Sequence, residues 1–400
     1  MGSRQIAMPG QDRPDVLLIG VVAVLLSIGL LMVTSASIAL GDRLHDDPFY
    51  FFERQLLAAA MGLAAGYVMV QIPTRIWQGL GIWLAGLALL MLVVVLIPGL
   101  GHTANGSTRW LSVGGINIVQ VSEPARLMML MYVADYAVRR NDELSAGLAG
   151  LVKPMAIVLA AAGLLLMQPD FGSALLLVGI SFAILFVAGA RLRYVVLSIT
   201  PVILLFFALA RFSPYRMRRL MGFRDPWSDP FGDGFQLTQS LIAIGTGEWW
   251  GVGLGASVQK LFYLPEAHTD FIFAVIAEEF GLIGSIVMIL LYGLLIWRAM
   301  VIARTAASRD AGFRAYVAFG LAIWLAMQAV INIGVNMGVL PTKGLTLPLV
   351  SYGRSSLIVT LAALGVLLRI DLENCGLVGA RRRGNSMRRA EQAAGREARQ

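Results

Sequence analysis

Residues Val16–Gly41 read VLLIGVVAVLLSIGLLMVTSASIALG, 26 positions without a single charged side chain. A run of that length exceeds the ~20 residues that a helix needs to cross ~30 Å of hydrocarbon. It is also too long for the apolar core of a cleavable signal peptide, so it is expected to remain as the first of several membrane helices. The rest of the chain repeats the pattern. Gln55–Thr74, Ile76–Thr108, Pro154–Pro169, Phe171–Ala190, Tyr194–Ala210, Phe280–Trp297, Ala315–Thr342 and Ser355–Leu368 are likewise free of charge. A tenth apolar span, Val119–Ala137, carries Glu123, Arg126 and Asp135 within it.

Composition agrees. The chain has 400 residues, 58% of them hydrophobic and 14% charged, with a mean hydropathy of +0.74. Soluble domains carry about 25% charge, so a water-soluble fold is excluded. One cysteine, Cys375, excludes a disulfide scaffold. The expectation is an all-α integral membrane protein of about ten transmembrane helices.

Basic residues set the orientation. With both termini inside, 20 of the 32 Lys and Arg fall on the cytoplasmic side. Seven of these lie in 381–400, a basic tail suited to anionic lipid. Nucleic-acid binding is not expected, because no folded domain or aromatic interleaving surrounds that run. Residues 1–14 then form a cytoplasmic segment, 15–370 the transmembrane domain and 371–400 a disordered tail.

Residues 211–269, between helices 7 and 8, form the longest outer loop. Arg211, Arg216, Arg218, Arg219 and Arg224 cluster there without an intervening acid. Such a cluster serves equally as a solvated face or as a surface for an anionic substrate. Asp225-Pro226-Trp227-Ser228-Asp229-Pro230 punctuates the loop, and Gln236–Ile244 suits a short interfacial helix. Five glycines between 245 and 255 suggest a flexible stretch around Trp249 and Trp250, a pair typical of interfacial anchors. No strand precedes them, so they are not a dinucleotide loop. The eighth helix begins near Asp270. On local grounds Asp270 reads as a helix N-cap; the alternative is a carboxylate at the water–lipid boundary acting as a general base. Glu278 and Glu279 lie deeper, where a carboxylate needs a partner or a cavity.

Other polar positions flank the membrane zone. Glu123 and Arg126 are three apart on one helical face, which gives an internal salt bridge or the wall of a polar groove. Arg109 and Trp110 stand at the outer interface. Asp170 precedes a helix and suits a cap. Pro341–Pro348 cannot be continuous helix, so this segment and the following Ser351-Tyr352-Gly353 are expected to line a cavity, with Lys343 reaching into it. The three histidines, His45, His102 and His268, have no zinc spacing.

Six segments together carry a family resemblance. They are Asn105-Gly-Ser-Thr-Arg-Trp110, Ser122-Glu123, Gln168-Pro-Asp-Phe-Gly172, Asp225-Pro-Trp-Ser-Asp-Pro230, Tyr263-Leu-Pro-Glu-Ala-His-Thr-Asp-Phe-Ile-Phe-Ala274 and Pro341-Thr-Lys-Gly-Leu-Thr-Leu-Pro-Leu-Val-Ser-Tyr-Gly353. From Val16 to Arg369 the chain resembles the SEDS family of shape, elongation, division and sporulation proteins. The Pro-Thr-Lys-Gly-Leu-Thr form is that of its cell-division branch. Arg354 departs from the family pattern, which has a second glycine there, and Pro124 and Arg126 replace an aromatic residue and a lysine.

The resemblance implies a ten-helix enzyme that polymerises lipid II, the undecaprenyl-pyrophosphate-linked disaccharide pentapeptide. It implies work beside a class B penicillin-binding protein of the FtsI type and other division proteins, at the septum of the bacterial inner membrane. It assigns Asp270 as the essential carboxylate, overriding the local N-cap reading. Candidate substrate contacts are then Arg109, Trp110, Glu123, Arg126, Asp170, Arg216, Arg218, Arg219, His268, Lys343, Ser351 and Tyr352. No covalently bound cofactor or protein-bound metal is expected; a divalent cation, Mg or Mn, is compatible with a pyrophosphate leaving group. A single convincing outer carboxylate points to inversion at the donor sugar. The alternatives are a lipid II flippase, with Glu123, Arg126, Glu278 and Glu279 as its polar path, and a non-catalytic scaffold of the division machinery.

Overall fold

Helix α1 (Val16–His45) starts at Asp15, whose carboxylate accepts from Leu18 N at 3.0 Å and pairs with Arg298 at 2.7 Å. The computed structural model describes residues 14–104, 107–113, 116–211, 223, 225–232, 234–342 and 344–376. The helices that follow are α2 (Tyr50–Gln71), α3 (Thr74–Gly79), α4 (Gly81–Val94), α5 (Ser122–Arg139), α6 (Asn141–Ala146), α7 (Leu148–Met167), α8 (Phe171–Val187) and α9 (Leu192–Arg211). After the outer loop come α10 (Phe235–Thr246), α11 (Ile272–Ala307), α12 (Gly312–Asn336) and α13 (Arg354–Asn374). Each of the ten apolar segments read from the sequence contains a helix. Among the described residues five helices, α1, α7, α11, α12 and α13, are long and apolar enough by length and composition to cross a membrane. The last turn of α13 runs past residue 370.

The fold is not purely helical. The charge-free run Ile76–Thr108 does not continue as one span: α4 stops at Val94, and Pro98, Gly99 and Gly101 divert the chain into an antiparallel meander. Its strands are β1 (Gly101–Ala104), β2 (Ser107–Val113) and β3 (Ile116–Gln120), paired in the order β1-β2-β3. Proline lacks a helical donor and alternating β-branched residues favour strands. Gln120 N donates to Ser355 Oγ at 2.9 Å, which ties the sheet to the start of α13.

Sidedness is that of a protein in hydrocarbon. Leu63, Tyr67, Trp83, Leu90 and Val330 face outward, while Glu123, Arg126, Gln328, Asn332 and Asn336 are buried. Polar groups are costly in lipid and therefore turn to one another. Helices α2 and α13 lie almost in backbone contact: a Cβ on Gly365 would stand 2.3 Å from the Gly66 carbonyl oxygen. Small residues permit this approach.

Helix α11 is broken at Gly281 (φ 66°, ψ −159°), a conformation essentially confined to glycine. The break strands two carbonyls above it and two amides below it. The Gly-rich segment supplies their partners. Val252 N and Gly253 N donate to the Glu278 and Glu279 carbonyls, both at 3.0 Å. Leu282 N and Ile283 N donate to Glu248 O and Trp249 O at 2.9 and 3.3 Å. The expected flexible stretch is therefore packed against the kink. Gly251 (φ +79°) admits no Cβ, because one would meet Glu279 O at 2.2 Å. Trp249 and Trp250 remain exposed, as interfacial anchors are.

The two deep carboxylates complete this joint. Glu278 accepts from Val258 N at 3.0 Å and from Ser257 Oγ at 2.5 Å. Glu279 pairs with Lys260 at 2.7 Å, with the side chains 0% and 9% exposed, and accepts from Ser35 Oγ of α1 at 2.7 Å. Of the readings open for these residues, the ion pair holds for Glu279, whereas Glu278 is satisfied by neutral donors.

Candidate active site

Asp270 sits at the turn that enters α11, partly buried. It does not occupy the N-cap position: Phe271 does, and makes no side-chain cap hydrogen bond. The first turn is instead held from across the interface. Asn336 Oδ1 of α12 accepts from Ala274 N at 3.0 Å, and Asn336 Nδ2 donates to the Asp270 carbonyl at 3.0 Å. Asn332 Nδ2 donates to the same carbonyl at 2.9 Å and to Leu345 O at 2.6 Å. The main chain of Asp270 is thus clamped by two asparagines, and its carboxylate is spared the capping role. That carboxylate lies along the 341–353 segment, where a Cβ on Gly344 would come within 2.9 Å of its Oδ2.

Asn332 and Asn336 belong to a ladder that sequence reasoning missed. Trp324, Gln328, Asn332 and Asn336 recur every four residues on α12, one polar stripe inside a charge-free run. Trp324 Nε1 donates to Gln328 Oε1 at 2.7 Å, and Gln328 Nε2 donates to Thr346 O at 2.9 Å. Polar side chains at that spacing in an otherwise apolar helix are the signal that would have found it.

His268 and Tyr352 form the next wall. The His268 ring lies 4.9 Å from Phe51 and 5.5 Å from Tyr352, centroid to centroid, and Tyr352 N donates to His268 O at 2.9 Å. Burial pushes the His268 imidazole below its usual pKa, against the opposing pull of Glu266. Burial likewise raises the Tyr352 phenol. Ser351 Oγ accepts from Leu347 N at 2.8 Å, and Gln55 of α2 brackets the turn, donating to Ser351 O at 3.1 Å and accepting from Gly353 N at 3.3 Å. Ser351 therefore shapes the loop through its own backbone contacts.

A second group lies along α5 and α8. Arg126 meets Glu123 at 3.3 Å, donates to Ser173 Oγ at 3.1 Å and stacks 5.1 Å from the Trp324 ring. Asp170 caps α8, accepting from Ser173 N at 3.1 Å, while its Oδ2 is buried without a hydrogen bond. Arg109 Nη2 donates to Pro169 O at 2.7 Å, and its Nε donates to Ser107 Oγ at 2.5 Å. Ser107 in turn donates to Gln168 O. Trp110 pairs within the sheet opposite His102 and Gln120. The structure thus places Arg109 and Trp110 in the sheet that roofs this group, and joins Glu123, Arg126 and Asp170 through Ser173. The α12 ladder links the two groups, since Trp324 touches Arg126 at one end and Asn336 holds Asp270 at the other. Arg216, Arg218, Arg219 and Lys343 lie outside the described residues. Among the described residues no three His, Cys, Asp or Glu side chains gather as a metal-holding group.

Comparison with known proteins agrees with this architecture. Residues 15–375 match the model of the FtsW/RodA/SpoVE cell cycle proteins. A relative from Thioalkalivibrio sulfidiphilus, a probable peptidoglycan glycosyltransferase FtsW, is 52% identical over 92% of each chain. One of the same name from Legionella pneumophila is 48% identical, covering 90% of this chain and 91% of the relative. Among solved structures, a chain of a peptidoglycan synthase complex studied for the coordination of polymerisation and crosslinking superposes with a TM-score of 0.73. It is 31% identical, over 90% of this chain and 98% of its own. The rod-shape-determining protein RodA of Thermus thermophilus gives 0.65 at 30% identity, over 90% and 97%. A multi-pass membrane fold, a matching family model over nearly the whole chain and relatives about half identical lead to one conclusion: the chain belongs to the FtsW/RodA/SpoVE family of cell cycle proteins.

Proposed function

We propose that this chain is a peptidoglycan glycosyltransferase that polymerises lipid II at the outer face of the bacterial inner membrane during division. The observation that carries the reading is the Asn332–Asn336 clamp on the Asp270 main chain, which fixes a carboxylate at the membrane edge without using it as a cap. The names borne by the relatives point the same way.

In this reading Asp270 accepts the proton of the attacking sugar hydroxyl. The freed oxygen bonds to the anomeric carbon of the donor, the bond from that carbon to the pyrophosphate oxygen breaks, and undecaprenyl pyrophosphate leaves. A single carboxylate suits one direct displacement with inversion. A neutral His268, tilted against Phe51 and Tyr352 in a cluster of three rings, presents an aromatic wall rather than a second charge. The outer arginines, Lys343 and Arg109 complement the pyrophosphate. A divalent cation, Mg or Mn, would come with the substrate's pyrophosphate rather than on Asp270, and would neutralise the leaving group's charge beside the basic side chains. The partner in this reading is a class B penicillin-binding protein; the fold matches a chain of a peptidoglycan synthase complex that coordinates polymerisation and crosslinking. Both termini are cytoplasmic.

The test is polymerisation of lipid II by the purified chain with its cognate penicillin-binding protein. Glycan strands would support the enzyme. Lipid II crossing vesicles without any polymer would instead support the flippase.

A further inference from the structure

A cavity of about 220 Å³ opens at the far end of α5, lined by Tyr132, Tyr136, Arg139, Arg140, Glu143 and Lys153. Helix α5 has 18 residues, and its lining residues Tyr132, Tyr136 and Arg139 lie about 15 to 26 Å along it from the Ser122–Glu123 start. The cavity is therefore separate from the Asp270 site, on the face that holds Arg298, Arg314 and Arg369. Nothing in the polymerase mechanism uses it.

Its charges are arranged for an anion. Arg139 pairs with Asp135 at 2.8 Å, while Arg140 and Lys153 share Glu143 at 2.7 and 2.6 Å. Three cations against two carboxylates leave one positive charge in surplus. The three basic side chains are 47%, 56% and 60% exposed. Ion pairs this exposed are weak, so an incoming anion can take over Arg140 and Lys153 with little loss. Those two cations hold Glu143 below its usual pKa, so it is charged and serves as an internal occupant of the position. Tyr136 donates its hydroxyl to Gly150 O at 3.0 Å, which sets the wall between α5 and α7.

The rim identifies the kind of anion. Ile82 completes the lining, and it is 51% exposed beside Trp83 at 72%. Both lie at the start of α4, where an outward tryptophan marks the headgroup level. Val152, next to Lys153, also faces outward. A ligand here meets cations at one end and a hydrocarbon-facing surface at the other. The volume is below the ~300 Å³ at which pockets for drug-sized molecules begin, so it suits a headgroup rather than a nucleotide. Basic pockets between membrane helices on the cytoplasmic side are sites for anionic lipid headgroups. We propose that this cavity binds the phosphate headgroup of an anionic membrane lipid, with Arg140 and Lys153 as its ligands and Glu143 as the group the lipid displaces.

The test is native mass spectrometry of the full chain released from nanodiscs containing equal phosphatidylglycerol and phosphatidylcholine. The native chain is expected to retain phosphatidylglycerol preferentially. Each basic residue near the surface contributes about a factor of five, so Arg140→Gln with Lys153→Gln should lower that preference about twenty-five-fold. Glu143→Gln should raise retention above native, a gain that misfolding cannot mimic. A control pair elsewhere on the face, Arg191→Gln with Arg309→Gln, should leave it unchanged. Equal retention by the native and cavity variants, or an equal loss in the control pair, would overturn the site. Release of the lipid by millimolar inorganic phosphate would overturn its assignment to a lipid rather than to a free phosphate.

Discussion

The Asn336 side chain donates to the Asp270 carbonyl at 3.0 Å and, through its other atom, accepts from Ala274 N at 3.0 Å. One buried amide thus performs the capping that Asp270 would otherwise perform. Asn336→Ala removes both bonds; Asn332 still donates to the Asp270 carbonyl and Ala274 N keeps Phe271 O at 3.0 Å, so the cost should be that of two hydrogen bonds, about 2 kcal/mol in stability. Asn336→Asp keeps the acceptor and loses the donor. In the polymerisation assay both should lower kcat more than they raise KM, because they shift Asp270 rather than remove a substrate contact. An unchanged kcat in a folded Asn336→Ala protein would contradict the clamp.

Lys260 and Glu279 form a buried pair 2.7 Å apart. Removing one partner of such a pair typically costs about 3–5 kcal/mol, because the other charge stays buried and uncompensated. Lys260→Met should therefore destabilise more than Lys260→Met combined with Glu279→Gln. Thermal unfolding of the single and double variants in one detergent measures the order, and a more stable single variant would contradict it.

Gly281 occupies φ 66°, ψ −159°, and a Cβ there would stand 2.4 Å from Gly251 N. Gly281→Ala should cost about 1–3 kcal/mol from the backbone alone, with a further steric cost at the loop joint. Limited proteolysis near Trp249 and Trp250 should accelerate as the Gly-rich segment separates from α11. Cleavage at the native rate would show that the kink does not hold the loop.

These elements show what the sequence could and could not convey. Charge-free runs marked the helices because lipid removes charged groups from the outward face. The same rule concealed the meander: residues 95–108 carry no charge, yet Pro98 and two glycines end the helix. The α12 ladder was missed because Trp, Gln and Asn do not register in a charge count. Asp270 read locally as a cap because its competitor, Asn336, is 66 residues away in the chain. The asymmetry between Glu278 and Glu279 depended on where the loop places Ser257 and Lys260. The family resemblance supplied the weight on Asp270 that local chemistry could not.

Burial lowers the His268 pKa relative to an ordinary histidine, near 6.5. The unfolded chain then binds the proton more readily than the folded one, so the stability tied to neutral His268 is complete above about pH 6.5 and is lost as pH falls through the lower folded value. Between pH 8 and pH 5 the native Tm should fall further than that of His268→Phe, which keeps an aromatic ring against Phe51 and Tyr352. Parallel curves would contradict a buried neutral imidazole.

The central claim is that Asp270 is the base for glycosyl transfer. The most direct measurement is lipid II polymerisation by Asp270→Asn beside the native chain, each in complex with its penicillin-binding protein. The account predicts loss of glycan strands in the variant, with complex formation and Tm preserved, because the Asn332 and Asn336 bonds go to the main chain of residue 270 and survive the change. Strands made by Asp270→Asn at the native rate would contradict it.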